Sequence, residues 1–387
     1  MRVLVAFDKF KDSISAAAAG RAVAAALAER RPNWRLDLCP LSDGGEGFAG
    51  ILTRAAGGEE RLVAATGPRG EPLTAAFGLV EAEKIPAAAL RQLGGPRPAG
   101  ARIAIAEMAS ASGLALVPAP ARDPRQATSF GTGEVLRAAA AAGAAAILLG
   151  VGGSATHDIG LGALSALGLG LLGAAGEDLG PVPPARWAEI RGFRGDPGAG
   201  RPPILIACDV ENPLLGPAGA LATYGPQKGL RPADQAALEA ETGRLARLLC
   251  RHFGRDEDLV RRPGAGAAGG IAFGLMAAAG ATLIAGMDLV GAWLDLDARV
   301  AAADVVITGE GRFDATSLSG KGPGAVVRRA LALGKEVHVF AGQVQLPAPV
   351  PGLQAHAISP AALPLVAALA QAEPLLAAAI ERAWPAG

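Results

Sequence analysis

The sequence predicts an α/β protein of two α/β domains with mainly parallel sheets. Three observations carry this. At about 150 residues per domain, a chain of 387 residues accommodates two. Its composition is 51% hydrophobic and 19% charged, enough apolar material for large cores and too much for a disordered chain. Apolar, β-prone runs alternate with helical stretches at both ends, the texture of βαβ units.

Arg2 to Phe7 is a continuous β-prone run, the pattern of a strand buried on both faces of a parallel sheet. Ser15 to Arg31 is Ala-rich and reads as a helix, with Ser13 or Ser15 as N-cap. Arg35 to Cys39 is a second strand ending in the loop Ser42-Asp43-Gly44-Gly45-Glu46-Gly47. The texture changes from Arg61 to Gly100. Thr66-Gly67-Pro68-Arg69-Gly70 is a turn cluster between short strand-like runs and predicts a hairpin. Three later strands, Ala144 to Gly150, Ile204 to Cys208 and Asp304 to Thr308, each run into a polar loop, and Gln235 to Phe253 is a long amphipathic helix. The C-terminal region reads as a helix over Ala325 to Leu333, strands over Glu336 to Phe340 and Leu353 to Ile358, and a helix near Leu375 to Ala383. This matches the N-terminal texture. The two ends are therefore expected to form one discontinuous domain, 1–60 with 291–387, with 61–290 inserted as a second domain of flavodoxin-like texture.

The 36 basic residues balance 36 acidic ones, which argues against bulk electrostatic binding of nucleic acid. Three scattered cysteines, Cys39, Cys208 and Cys250, form neither a disulfide framework nor a zinc pattern, and favour a reducing compartment. The charge-free run Ile271 to Met287 is short, Ala- and Gly-rich and broken by Gly274, Gly280 and Gly286, so it reads as buried core rather than a membrane span. The histidines show no metal-ligand spacing, and there is neither a Walker A loop nor a G-x-S-x-G elbow.

Several loops carry residue types suited to phosphate chemistry. Lysine is scarce beside arginine, so Lys11, Lys228 and Lys321 in loops stand out as compact charges for phosphate oxygens. Gly152 to Gly160 follows an apolar strand and precedes a helix. Its backbone N–H groups at Gly152 and Gly153, with the Ser154 and Thr156 hydroxyls, suit an anion. Gly264 to Gly269 matches G-x-G-x-x-G, but Arg261-Arg262-Pro263 before it cannot end a buried strand. It reads as a loop and close-packed helix start, with Gly264 and Gly266 still compatible with a phosphate ligand. Acids gather at strand ends: Asp8, Asp43, Glu46, Asp209 with Asn212 nearby, and Glu310 with Arg312 and Asp314. In parallel sheets such acids converge outside the carboxyl edge, where they can hold Mg2+ or accept a hydroxyl proton. Helix capping is the competing role for each.

Together these loops resemble the bacterial glycerate kinase family, of the glycerate 2-kinase type. The resemblance rests on Ala6 to Ser13, Leu41 to Gly47, Gly152 to Gly160, Ala207 to Leu214, Tyr224 to Gly229, Pro263 to Gly270 and Ile307 to Asp314. It implies ATP-dependent phosphorylation of D-glycerate with Mg2+ in the cytoplasm, by two α/β domains, one resembling flavodoxin-like folds, with the active site in the cleft between them. This chain departs from the family pattern at Lys9, where Ser is frequent, and at Asp12, where Gly is usual. His157 and Ile159 replace Asn and Gly, and Thr316 replaces Gln.

Phosphoryl transfer needs phosphate cradles, carboxylate-held Mg2+ and a base for the acceptor hydroxyl. The expected assignment gives ATP to Gly152, Gly153, Ser154, Thr156, Gly264 and Gly266. Asp43 or Glu46, with Glu310, holds Mg2+, and Lys228 and Lys321 neutralise the phosphoryl group. Asp8, Lys11, Asn212 and Arg312 bind substrate, Arg312 as a clamp on its carboxylate. Asp209 is the expected base, oriented by Asn212 and stiffened by Pro213, with Asp158 as the alternative. The expected partners are D-glycerate and a nucleotide, without nucleic acid or membrane, and a homodimer is left open. Two other readings compete: an NAD-dependent oxidoreductase resting on Gly264 to Gly269, and a non-catalytic regulator that binds ATP or an organic acid.

Overall fold

The computed structural model describes residues 1–318 and 322–385. In chain order its strands are β1 (Arg2–Phe7), β2 (Arg35–Leu38), β3 (Glu59–Thr66), β4 (Pro72–Glu81), β5 (Arg102–Glu107), β6 (Ala146–Gly150), β7 (Gly170–Leu172), β8 (Gly192–Arg194), β9 (Ile204–Ala207), β10 (Thr282–Ile284), β11 (Val305–Asp314), β12 (Glu336–Gln345) and β13 (Leu353–Ala357). The chain divides into two compact units, Met1–Asp43 with Val290–Gly387, and Gly44–Leu289.

The first unit holds a five-stranded sheet of order β13-β12-β11-β1-β2, every pair parallel. Relabelled within the unit this is the order 2-1-3-4-5, the flavodoxin-like one. That order therefore belongs to the discontinuous unit, not to the inserted one as the sequence suggested. β1 is buried along Val3 to Phe7, as its unbroken apolar run requires. The helix Ala16–Arg30 follows it, and the Ser15 side chain accepts from the Ala18 N–H, which selects Ser15 over Ser13 as the cap. Val23 and Leu27 on this helix pack into a core with Phe7, Ile307, Phe340 and Ile380.

The second unit holds a six-stranded sheet of order β10-β9-β6-β5-β4-β3. The pairs from β5 to β10 are parallel. β3 and β4 form the antiparallel hairpin signalled by Thr66 to Gly70, and β4 pairs antiparallel with β5. This mixed sheet is not flavodoxin-like. Residues 44–60 belong here rather than with the first unit. The helix Phe48–Ala55 packs on β4 and β5 and buries Phe48, Ile51 and Leu52, each contributing about 1.5–3 kcal/mol. The charge-free segment from Ile271 lies in the buried helix Ala267–Ala279, followed by β10 and the start of the helix Gly286–Trp293. Among the described residues no helix is long and apolar enough to cross a membrane.

Candidate functional site

In the first unit the strand order reverses between β1 and β11, and open α/β sheets bind ligands outside the carboxyl ends of the strands at such a point. A cavity of about 860 Å³ lies there, lined by Asp8, Lys9, Lys11, Asp43, Glu310 and Arg312 among others. Asp8 leaves β1 buried, at 8% exposure, and its Oδ1 accepts from the Lys9 N–H at 2.7 Å. Burial pushes the Asp8 carboxyl up to about 8. The charges of Asp43 and Glu310 add to this, and the Lys9 N–H and ammonium oppose it. Glu310 lies within β11, not in a loop after it, because the strand continues to Asp314 beside β12. Burial raises its carboxyl to about 7 against a hydrogen bond from Ser317, with Asp43 and Asp314 adding to the rise. Its Oε1 is buried and has no hydrogen-bond partner among the described residues.

These acids form a crowded set of hard oxygens, the donor type a magnesium ion takes. Among the described residues no group of three or more His, Cys, Asp or Glu forms a ready-made metal cage. Mg2+ needs none: it keeps several waters and takes one or two carboxylates plus substrate oxygens. Glu46 does not line this cavity. It is an exposed residue of the second unit, just before the helix Phe48–Ala55. Arg312 does line it, with its guanidinium held by Asp314 at 3.1 Å and by Gln345 Oε1 at 2.7 Å. Asp12, which stands where the resembled family has Gly, has a left-handed backbone, φ 58°.

The expected residues of the second unit behave differently, because burial turns most of them inward. Asp158 is 1% exposed. Its Oδ2 accepts from the Ser129 N–H at 2.6 Å, the Ser129 hydroxyl at 2.7 Å and the Gly162 N–H at 3.2 Å, and its Oδ1 accepts from the Gly160 N–H at 3.1 Å. Burial raises its carboxyl, with these bonds opposing the rise. An acid so enclosed braces its loop and does not meet an acceptor hydroxyl. Lys228 is 3% exposed, and its Nζ donates to Ser154 Oγ at 2.9 Å and to the Thr156 carbonyl at 2.6 Å. Burial lowers it to about 7. The lysine expected on a phosphate is a strut beneath the 152–160 loop, and its hold on Ser154 turns that hydroxyl inward. The Thr156 hydroxyl is buried without a hydrogen-bond partner among the described residues. His157 reaches Thr242 Oγ1 at 3.1 Å.

Of the glycines expected around ATP, Gly152 and Gly266 lie tightly against backbone and Gly264 against a side chain. Gly152 donates to the Gly44 carbonyl at 2.9 Å, and Gly153 completes that turn at φ 74°. A Cβ on Gly266 would meet the Pro213 carbonyl oxygen at 2.2 Å, and one on Gly264 would meet Leu283 at 2.7 Å. Gly269, at φ 72°, brings the same stretch against the Thr156 carbonyl. Three loops are thus packed backbone to backbone, which requires glycine irrespective of any ligand.

Asp209 follows β9 half-buried, and its Oδ2 accepts from the Met287 N–H at 2.9 Å in the first turn of the helix Gly286–Trp293. Asn212 does not orient it. The Asn212 amide donates to the Ala218 carbonyl at 2.8 Å and Thr223 Oγ1 at 3.1 Å, and its Oδ1 accepts from the Tyr224 hydroxyl at 2.6 Å. That amide is spent on its own loop, which removes it from both expected roles. Lys321 lies outside the described residues. Sequence reasoning passed over Lys9, which lines the cavity, and Ser129, the partner of Asp158. It also passed over Glu107, whose oxygens accept from the Gly47 and Ala49 N–H groups at 3.1 and 2.8 Å. Glu107 ends β5 as the other acids end their strands, so its position was the available signal; Ser129 has none.

Comparison with known proteins agrees with this architecture. The family model described as Glycerate kinase family matches residues 3–385. Glycerate kinase of Halalkalibacterium halodurans is 38% identical over 344 residues, covering 88% of this chain and 85% of that protein. Glycerate 2-kinase of Escherichia coli is 37% identical over 348 residues, covering 89% and 86%. A solved structure named for a glycerate kinase 2 of Salmonella typhimurium LT2 superposes with a TM-score of 0.74 at 35% identity, covering 99% of this chain and 97% of its own. With a match running nearly from end to end and relatives sharing more than a third of its residues, the chain belongs to the glycerate kinase family.

Proposed function

We propose that the chain, as a glycerate kinase, transfers the γ-phosphoryl group of ATP to the 2-hydroxyl of D-glycerate with Mg2+ bound. The observation that supports this reading is the meeting of Asp8, Asp43 and Glu310 with Lys9, Lys11 and Arg312 around one cavity at the carboxyl ends of β1 and β11. Asp43 and Glu310 would hold the magnesium ion, with Asp8 beside them on the substrate. When bound, the ion neutralises charge on the phosphate oxygens. The Oε1 of Glu310, without a hydrogen-bond partner among the described residues, is the observation that fits such a cation.

Arg312, preset by Asp314 and Gln345, takes the glycerate carboxylate through its remaining N–H groups. Lys11 is a point charge for phosphate oxygens. Asp209 accepts the hydroxyl proton as the hydroxyl oxygen bonds the γ-phosphorus and the bond to ADP breaks. It is preferred to Asp158 because it is half-buried rather than enclosed. The buried Asp158 and Lys228, and the half-buried Asn212 whose amide is bonded within its own loop, position loops and touch no reacting atom. Both the NAD-dependent and the non-catalytic readings fall away with membership of the family.

The test is ADP release coupled to D-glycerate. Turnover should vanish in EDTA and return with Mg2+, and phosphorus NMR of the product should show coupling to the C2 proton. Full turnover in chelator sinks the metal assignment, and a signal coupled to the C3 protons reassigns the acceptor.

A further inference from the structure

The cavity at β1 and β11 has a lining of two kinds. One is the charged group of Asp8, Asp43, Glu310 and the basic residues beside them. The other is apolar, formed by Ile358, Leu363, Leu365 and Leu369 from the segment after β13, with Phe10 facing the same space. Leu363 is half-exposed and Leu365 is 66% exposed, although both line the cavity. The wall is fixed to the first loop by the Ser13 hydroxyl, which donates to the Leu369 carbonyl at 2.6 Å.

D-Glycerate carries an oxygen on every carbon and leaves nothing for an apolar wall to cover. It would also occupy a small part of about 860 Å³, a volume within the roughly 300–1,000 Å³ of sites that enclose drug-sized ligands. A nucleotide matches both kinds of lining. Its phosphates suit carboxylate-held Mg2+ and lysine, and its base offers flat apolar faces to leucines. Two of the glycine N–H groups that would otherwise meet a nucleotide are spent on backbone carbonyls, Gly152 on Gly44 and Gly266 on Asn212. We propose that the segment 358–372 forms the base-and-ribose subsite of the nucleotide donor, with its phosphates running toward Asp8 and Glu310. This rests on the reading of the chain as an ATP-dependent kinase, and it moves the nucleotide away from Gly152–Thr156 and Gly264–Gly266.

The experiment compares Mg-ADP with Mg-pyrophosphate by isothermal titration on the intact chain, for the wild type and for Leu363→Asn combined with Leu365→Asn. Both positions have solvent access, so the variant should keep its far-UV circular dichroism. Its affinity for Mg-ADP should fall about tenfold or more, with pyrophosphate binding unchanged because only the phosphate end is engaged. Unchanged ADP affinity, or an equal loss for both ligands, overturns the subsite, as does a wild type that takes up no ADP. If the wild type binds ADP but never phosphorylates glycerate, the kinase reading fails while the same titrations still decide where the base sits.

Discussion

Gly269 is the sharpest test of whether the three loops of the second unit are held by backbone contact. Its φ is +72°, and an added Cβ would lie 2.0 Å from the Thr156 carbonyl oxygen and 2.7 Å from the His157 Cα. The left-handed backbone alone costs an L-residue roughly 1–2 kcal/mol. Carbon–oxygen contacts normally sit near 3.3 Å or beyond, so the 156–159 loop would have to retreat by more than about 1 Å. That retreat pulls on the Lys228 bond to the Thr156 carbonyl (2.6 Å) and on the Ile159 N–H bond to Gly269 (3.0 Å). Such bonds contribute about 0.5–1.5 kcal/mol each, or about 1.5–3 where one group is charged. Gly280 is the control. It has the same sign of φ, +65°, with nothing within 4 Å of its added Cβ. In urea titrations followed by far-UV circular dichroism, Gly280→Ala should cost about 1–2 kcal/mol and Gly269→Ala about 3–6.5 kcal/mol if both bonds are lost. Only Gly269→Ala should also lose kinase turnover. Equal costs for the two variants would refute the backbone-contact account.

Asp209→Asn keeps an acceptor for the Met287 N–H and should melt near the wild type while kcat falls about 10²-fold; near-normal turnover would leave Asp209 as a helix cap only. Lys228 is held at about 7 against an ordinary 10.5. From about pH 7 to 10.5 the unfolded chain therefore carries a proton the folded chain has lost, and stability should rise with pH across that window. Lys228→Met should remove this slope, as read from denaturation midpoints at about pH 7 and about pH 10, and a slope that persists assigns it to other groups. His157, lowered from 6.5 to about 3 by burial and by the Lys228 charge, stays neutral while the unfolded chain protonates, so stability should be lost as pH falls from 6.5 toward 3. His157→Asn should flatten that acid limb in thermal melts, and an unchanged limb counts against the assignment.

Much of the fold was legible because its signals are local. β1, β6 and β9 are unbroken apolar runs, the β3–β4 turn carries its own Gly and Pro, and Ser15 caps a helix it directly precedes. The extension of β11 through Glu310, Arg312 and Asp314 was not, because a polar alternation becomes a strand only beside Ala341 to Gln345 of β12. The helix Phe48–Ala55 has an apolar face that either sheet could have covered, so its sequence could not assign it. At the site, Asp8, Lys11, Asp43, Glu310 and Arg312 stood out as polar residues at strand ends, and they do line one cavity. Lys228 and Asp158 were read as meeting the phosphoryl group and the acceptor hydroxyl, whereas both are buried, which charged side chains rarely are without partners. Their partners, Ser154, Thr156 and Ser129, are hydroxyls and carbonyls that no sequence pattern advertises.

The parallel pairing of β1 has a consequence for synthesis. One edge of β1 meets β2 within the first unit's N-terminal segment, but the other waits for β11, with Ala6 and Thr308 separated by 302 residues. At roughly 5–20 residues per second, that edge stays open for about 15–60 s while the whole of Gly44–Leu289, a contiguous unit, emerges and can fold. During that interval an apolar strand offers unpaired N–H and C=O groups to any neighbouring chain. Long-range parallel pairing is also slow in itself. The nascent first unit is therefore the part of this protein most in need of a chaperone, and changes that slow closure of β11 onto β1 should show first as aggregation during expression rather than as weaker catalysis.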